Sequence, residues 1–391
     1  MSALSLNIAG WLMAAVTLPG SLLLALLSAA ALMPRTKVQM GERDSAQGRL
    51  AFLVPAHNEA NNIQTTVDCL VDACQADGNA EVWVIADNCS DDTAGRARRA
   101  GAKVLERHNP MQRGKGFALE YAFSRLPADS GEWLIVVDAD STLEPGFLAA
   151  MRSAMSADRN ALQACYLSRA GQHLRSQVSR IGQWGFNLVR PLGRQRLGFS
   201  CGLLGNGFAL RRSLLQRLPY TAHSVVEDLE YHLLLVAAGE HVHFVSEAVV
   251  IGEIADTTEG ARTQRSRWEG GRLRMLQEHF APLARRCLRG ERAALELLTD
   301  LLLLPIGIHA LLLALAALLG GIGLWAALFG GLAIGLYITA ILIRGPTSPR
   351  DLVALALSPA YLAWKLSLLP ATLIQSRRQA IWVRSRRNNE L

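Results

Sequence analysis

From about Leu6 to Met33 the chain carries no charged residue, and this constrains it more than any other feature. A helix crosses the hydrocarbon core of a bilayer with roughly 20 apolar residues, so the stretch is long enough to span. A cleaved leader would start with basic residues and have a shorter apolar core. Ala29-Ala30-Ala31 mimics a cleavage site, but the basic start is missing. Arg35 and Lys37 follow, and basic residues mark the cytoplasmic side of a span. The expectation is an uncleaved anchor over residues 1–36 with its N-terminus outside.

The chain turns apolar again from about Asp300. "LLLLPIGIHALLLALAALLG" and "IGLWAALFGGLAIGLYITAILI" are each long enough to cross, with Arg285, Arg286, Arg289 and Arg292 before them and Arg344 after. Residues 298–344 are therefore expected to form a hairpin that leaves the cytoplasm and returns to it. His309 reads as packed against a neighbouring helix, the commoner fate of one histidine among leucines. In "DLVALALSPAYLAWKLSLLPATLI", Pro359, Lys365 and Pro370 interrupt the run and five arginines follow. If it crossed, that cluster would end outside. Residues 351–391 are expected as an interfacial helix and a basic tail, with a further span as the alternative.

Between these blocks the material changes. Apolar runs of strand length alternate with amphipathic helical stretches. "RLAFLVPAH" reads as a strand and "EANNIQTTVDCLVDAC" as a helix burying Ile63, Val67, Leu70 and Val71. "AEVWVIAD" is a second strand, "DDTAGRARRAG" a second helix and "EWLIVVDAD" a further strand. The alternation implies a parallel sheet with helical crossovers, and ligands of such sheets bind beyond the carboxyl ends of the strands. Polar residues follow the strands there: His57-Asn58-Glu59, Asp87-Asn88 and Asp138-Ala139-Asp140. The net charge of +7 sits largely beside apolar segments. It points to membrane contact and, without an aromatic RNA-binding motif or zinc-finger spacing, away from nucleic acid. Six cysteines with no CxxC pair read as reduced thiols.

Several residues along that rim suit one chemistry. Asp138 and Asp140 end a buried strand with only Ala139 between them. Two such carboxylates repel unless they share a cation. Oxygen donors at a strand end suit Mg²⁺ or Mn²⁺, whose shell a substrate's phosphates complete. Asp87 and Glu59 can accept hydrogen bonds from a base N–H or from ribose. For Ser90 and Asp91 a helix cap is the bland account, and for Glu59 a helix dipole. Arg113-Gly114-Lys115-Gly116 opens a helix and is suited to phosphate, though it is not a Walker motif. Ser224 and Glu227 have capping-box spacing. That leaves Asp228 available to take a proton from an acceptor hydroxyl, with Glu230 a lesser rival. On a basic helix, Gln264 and Arg267 can face diphosphate while Trp268 offers a ring to a sugar; a membrane-surface helix is the plainer account.

Together "VPAHNEA", "ADNCSDDT", "GKG", "DADS", "GNGFALRR", "VED" and "QRSRW" occur in the order found in processive family 2 glycosyltransferases, the group of cellulose, chitin and hyaluronan synthases. The resemblance covers roughly Leu50 to Phe280 and the flanking helices. It implies an α/β fold of GT-A type (Rossmann-like, binding nucleotide-diphospho-sugars) over residues 48–282, flanked by transmembrane helices. It also implies a nucleotide-sugar donor and Mg²⁺ or Mn²⁺. By position, Asp87 resembles the uridine-binding aspartate, and Lys115 lies where the family contacts nucleotide. Asp138 and Asp140 match the DxD pair, Asp140 as the direct metal ligand. Asp228 matches the catalytic base, and Gln264, Arg267 and Trp268 match QxxRW. Asn206, within Gly205-Asn206-Gly207, looks like part of the acceptor-side loop.

The second-strand motif departs from the family, with Ala86 before Asp87 and Asn88-Cys89 after it, and the membrane part is small. The resemblance implies inverting hexosyl transfer from a UDP-sugar to a growing glycan, forming a β bond, in a multi-pass protein of the inner (cytoplasmic) membrane with its catalytic domain in the cytoplasm. Polysaccharide-assembly or export proteins would then be partners. Single-sugar transfer to a lipid such as a polyprenyl phosphate or ceramide is the alternative. A non-catalytic nucleotide-sugar-binding partner and a nucleotidyltransferase are rivals from other classes.

Overall fold

The computed structural model describes residues 3–34, 48–156, 158–169, 174–253 and 258–356. Among these, one compact unit falls within Arg35–Gly171 and Ser200–Gln264. A second falls within Met1–Pro34, Gln172–Phe199 and Arg265–Ala380.

The first unit is built on an eight-stranded sheet. In chain order its strands are β1 (Leu50–Ala56), β2 (Ala80–Asp87), β3 (Lys103–Arg107), β4 (Trp133–Val136), β5 (Thr142–Leu143), β6 (Ala161–Arg169), β7 (Phe208–Arg211) and β8 (Val242–Glu253). Across the sheet they lie β3-β2-β1-β4-β7-β6-β8-β5. β3, β2, β1 and β4 run parallel, with Leu50 opposite both Ala80 and Trp133. Expected strand–helix alternation produces this half. The fully parallel sheet expected from it is corrected by β7, which pairs antiparallel to both β4 and β6. The alternation that demands crossovers stops after β4, so nothing obliges the later strands to keep one direction.

The parallel strands are covered on both faces, which accounts for their unbroken apolar runs. Phe52, Val54, Ile135 and Val137 join Ile63, Val67 and Leu70 of the helix Ile63–Asp77, and Phe147 and Met151 of the helix Phe147–Ala154, in one core. Phe52 and Phe147 stand 6.3 Å apart, ring centre to ring centre. Fully burying a side chain of this size stabilises the fold by about 1.5–3 kcal/mol. With the strands clamped, their carboxyl ends form a fixed edge. None of the six cysteines forms a disulfide among the described residues.

In the second unit, two helices are long and apolar enough to cross a membrane, Ser5–Leu32 and Gly321–Arg344. They pack along one another with their carboxyl ends together. Arg344 donates to the carbonyls of Ala31 (2.9 Å) and Leu32 (3.1 Å), and Arg196 to those of Ala30 and Ala31 (2.7 Å each). Cations on the last carbonyls of a helix are favourable. The helix is broken near the start of the apolar stretch expected to cross after Asp300. Arg292–Leu302 and Ile306–Leu318 meet at 80°. Pro305 explains the break, because it has no N–H to donate and steers the preceding residue to extended backbone. Thirteen residues in Ile306–Leu318 reach about 20 Å, short of a bilayer core unless both arms count as one span. His309 is packed as expected, buried and 2.9 Å from Ser21 Oγ. Of the stretch expected as an interfacial helix, Pro349–Ala356 is helical; residues 357–391 lie outside the described residues.

Candidate active site

Asp138 and Asp140 follow β4 at the sheet's carboxyl edge, with Ala139 buried between them. Their loop is held from below by a buried amide. Asn206 Oδ1 accepts from the Asp138 amide at 3.1 Å, and Asn206 Nδ2 donates to Ser141 Oγ at 2.9 Å. Gln163, wholly buried on β6, secures the bracket in turn. Its Nε2 donates to the Asn206 carbonyl at 2.8 Å, and its Oε1 accepts from the Leu204 amide at 2.9 Å. The expectation that Asn206 meets the acceptor needs correcting. The residue is 0% exposed, and its side chain is committed to the loop. Gln163 was legible only as a polar residue inside the apolar run "ALQACYL".

Lys115 opens the helix Lys115–Arg125 and reaches into this loop, bonding Asp138 Oδ1 and the Gly205 carbonyl. Burial alone would pull its ammonium down. The carboxylates of Asp138, Glu227 and Asp228 outweigh that and hold it above its ordinary value. Gly116 is glycine for packing rather than for phosphate, since a β-carbon there would run into the Ala222 carbonyl oxygen. The helix thus lies directly on the segment that leads to Asp228.

Asp228 sits in the first turn of the helix Glu227–Ala237, its Oδ1 accepting from the Leu229 amide at 2.8 Å. Burial raises its pKa and nearby Asp138 adds to the rise, while the Leu229 N–H and Lys115 pull back; the net direction is up. The expected Ser224–Glu227 capping box does not form. The helix starts at Glu227, Ser224 Oγ accepts from the Val226 amide, and the Ser224 amide donates to Glu230 Oε2 at 2.8 Å. Glu230 is therefore taken up by the turn, and Asp228 lies against Gly205, whose carbonyl Lys115 bonds.

Asp87 ends β2 and is 5% exposed. Its Oδ1 accepts from Arg107 at 2.6 Å and from Asn88 Nδ2 at 3.1 Å. Arg107 ends β3, a strand absent from the sequence expectation, and lies 5.8 Å from the centre of the Phe117 ring. Phe117 stacks on His223 at 4.0 Å, so side-chain contacts link Asp87 to the Lys115 helix and the segment before Asp228. The rim loops are also tied to one another. His57 Nδ1 is 2.7 Å from the Asp87 carbonyl, and Asn58 Oδ1 accepts from the Ser90 amide at 2.7 Å. Glu59 is buried and accepts from Asn62 Nδ2. The cap expected at Ser90 or Asp91 is not formed: the helix Thr93–Arg99 follows Asp92, and Asp91 instead ties the loop, accepting from the Ala60 and Thr93 amides.

Another residue that the sequence did not single out is Tyr166 on β6. Burial raises its pKa and the carboxylates of Asp140 and Asp138 add to the rise, so its hydroxyl stays protonated beside the pair. Gln264, Arg267 and Trp268 are half-buried on the helix Thr258–Leu288. Gln264 belongs to the sheet unit, Arg267 and Trp268 to the other.

The strand-end residues fit a divalent ion. Asp138 and Asp140 supply two hard oxygen donors one residue apart, and Asp138 already attracts a cation in Lys115. Among the described residues no cluster of three or more His, Cys, Asp or Glu could hold a metal. This donor set suits an ion whose remaining positions are filled by phosphate and water.

With that geometry in place, the comparisons with known proteins decide the class. The description "Glycosyltransferase like family 2" matches residues 47–271, more than half of the chain. The chain belongs to this family. The match supports the family that the motif order implied, without distinguishing its processive members. A probable glycosyltransferase, YdaM of Bacillus subtilis, is 25% identical over 246 residues, covering 59% of this chain and 58% of that protein. A beta-monoglucosyldiacylglycerol synthase of Trichormus variabilis is 29% identical over 243 residues, covering 59% and 51%. The chain thus spans a little over half the length of the curated relatives it matches. Among solved structures, the mannosyltransferase PcManGT of Pyrobaculum calidifontis, in complex with GDP-Man and Mn²⁺, covers 96% of this chain and 97% of its own. It does so at a TM-score of 0.56 and 18% identity. That likeness is one of fold, and the sheet unit is a GT-A-like α/β fold with a mixed sheet.

Proposed function

We propose that the chain is an inverting glycosyltransferase that moves a sugar from a UDP-sugar to an acceptor hydroxyl at a membrane surface. One observation carries the reading: Lys115 bonds both Asp138 and the Gly205 carbonyl, and Gly205 in turn lies against the Asp228 carboxylate. Carboxylates far apart in sequence therefore meet at one strand edge, the arrangement a nucleoside diphosphate needs.

A divalent ion held by Asp138 and Asp140 would neutralise the diphosphate as it leaves. Lys115, kept protonated, offsets the same charge from the helix start, and Arg267 is assigned to the diphosphate by its motif. Asp228 takes the proton from the acceptor hydroxyl. The hydroxyl oxygen attacks the anomeric carbon from the face opposite UDP, so an α-linked donor gives a β product. The elevated pKa of Asp228 makes it a better proton acceptor than an ordinary carboxylate. By the same motif as Arg267, Gln264 is assigned to the donor and Trp268 to the acceptor.

Two acceptors fit. A growing glycan follows from the likeness to processive enzymes. A lipid hydroxyl is favoured by two observations: among the described residues only two helices are by themselves long and apolar enough to span, and a matching relative is named a beta-monoglucosyldiacylglycerol synthase. The residues 1–36 would anchor the enzyme and residues 298–344 would hold it against the inner membrane, with the sheet unit in the cytoplasm.

The test is to incubate membranes containing the protein with radiolabelled UDP- and GDP-sugars and analyse the product. Release of UDP with a single-sugar lipid supports the second acceptor, and a polymer supports the first. Hydrolysis or transfer of no donor at all would sink the enzymatic reading.

A further inference from the structure

The departure at the second strand end carries an inference about the nucleobase. It rests on the reading that this rim takes a nucleoside diphosphate, and deepens it. A carboxylate oxygen has two lone pairs. Both positions on Asp87 Oδ1 are occupied, one by Arg107 at 2.6 Å and one by Asn88 Nδ2 at 3.1 Å. Arg107 is itself buried and cannot swing away. One of its terminal nitrogens also donates to the Gln112 carbonyl at 2.8 Å, and the other to Gln112 Oε1 at 3.0 Å. Asp87 Oδ2 has no hydrogen-bond partner among the described residues.

We propose that Arg107 is a specificity-determining residue. By filling Oδ1 of Asp87 together with Asn88, it leaves a single acceptor oxygen for the base. Uracil presents one ring N–H between two carbonyls and matches a single acceptor, with the Asn88 amide beside it to face a carbonyl. Guanine presents two parallel donors, N1–H and N2–H, that call for both oxygens of a carboxylate. Its second donor would be left facing an oxygen already filled, and an unmatched buried donor is costly. Cytosine has no ring N–H at that position and would set a lone pair against Oδ2. Arg107 thus selects for uracil without touching it, through the carboxylate it holds.

The experiment is calorimetry on the full-length protein in detergent with Mn²⁺, titrating UDP, GDP and CDP. The wild type is expected to bind UDP about tenfold or more tighter than GDP, with CDP weaker still. Arg107→Met frees Oδ1, so the UDP-to-GDP ratio should fall to within about threefold, while Arg107→Lys should keep the preference. Because Arg107 is buried, Asn88→Gly serves as a second variant. Asn88 has φ +51, which glycine adopts freely, and its loss opens one Oδ1 position without stranding a charge. The ratio should fall part of the way. Equal binding of UDP and GDP by the wild type overturns the proposal. So does a wild-type ratio in the folded Asn88→Gly protein. Binding of neither nucleotide by the wild type overturns the donor reading itself, and the inference with it.

Discussion

The carboxylate of Asp228 rests against the backbone of Gly205. A β-carbon added at residue 205 would stand 3.1 Å from Asp228 Oδ2, and Gly205 has φ +78, where L side chains are strained. Gly205→Ala is therefore expected to cost about 1–2 kcal/mol of stability and to displace the proposed base. Turnover should fall more than tenfold at unchanged UDP affinity. Thermal unfolding and initial rates measured on one preparation separate the two effects.

Asp228→Asn should lower turnover by about 10²-fold or more and leave UDP binding near normal. Undiminished turnover would remove Asp228 from the mechanism. The pH dependence follows from the direction of its shift. The base must be ionised, and burial raises its folded pKa above the ordinary carboxylate value, so the acid limb of the rate profile should lie higher than for an exposed aspartate. The stability contribution has the same sign: folding is favoured while Asp228 is protonated, and that advantage is lost as pH rises through the folded pKa. Above it, Asp228→Asn should match or exceed the wild type in melting temperature.

Asp140→Ala should remove the metal-dependent part of UDP binding. In calorimetry with and without Mn²⁺, the wild type should gain about tenfold or more in affinity from the ion, and the variant should gain nothing. An equal gain in both would place the ion elsewhere.

Gly116→Ala forces a β-carbon into the Ala222 carbonyl, a contact between two backbones with no side chain to yield. A loss of about 1–3 kcal/mol is expected, read as a lowered melting temperature. A neutral effect would show that the Lys115 helix does not bear on the 222–228 segment.

In the helical unit, Asp300 faces three arginines: Arg272 at 3.3 Å, Arg194 at 3.8 Å and Arg190 at 4.0 Å. Burial, aided by neighbouring Arg272, pushes Arg190 down to about 10. Asp300→Asn would remove the carboxylate that these three cations share, and about 3–5 kcal/mol should be lost. Unfolding in detergent checks this, and an unchanged midpoint would show the cluster to be solvated.

What the sequence made legible was local. Asp138 and Asp140 could be read because the apolar run before them is one strand and its end must face solvent. The buried face of Ile63–Asp77 could be read from its 3.6-residue period. Non-local relationships were hidden. Nothing near Arg107 says that it holds Asp87, because the two meet only through β2–β3 pairing. The direction of β7 and the bracket formed by Gln163 and Asn206 depend on strands far apart in the chain. Ser224 and Glu227 misled because a capping box presumes the helix start, and the helix begins at Glu227 itself. Pro305 was visible, but the leucines around it read as one continuous span.

The antiparallel insertion of β7 sets what can change in this enzyme. Its ladder with β4 runs from Trp133 opposite Arg211 to Val136 opposite Phe208. Slipping it by one residue would turn every side chain of β7 to the other face and carry Asn206 away from the DxD turn. The strand is thereby frozen by its neighbours, and the backbone before Gly205 is tied as well, the Leu204 amide to Gln163 and the Cys201 amide to the Val242 carbonyl at 3.0 Å. Change along this edge is therefore confined to side chains, since the backbone from Cys201 to Arg211 is pinned by partners on β4, β6 and β8.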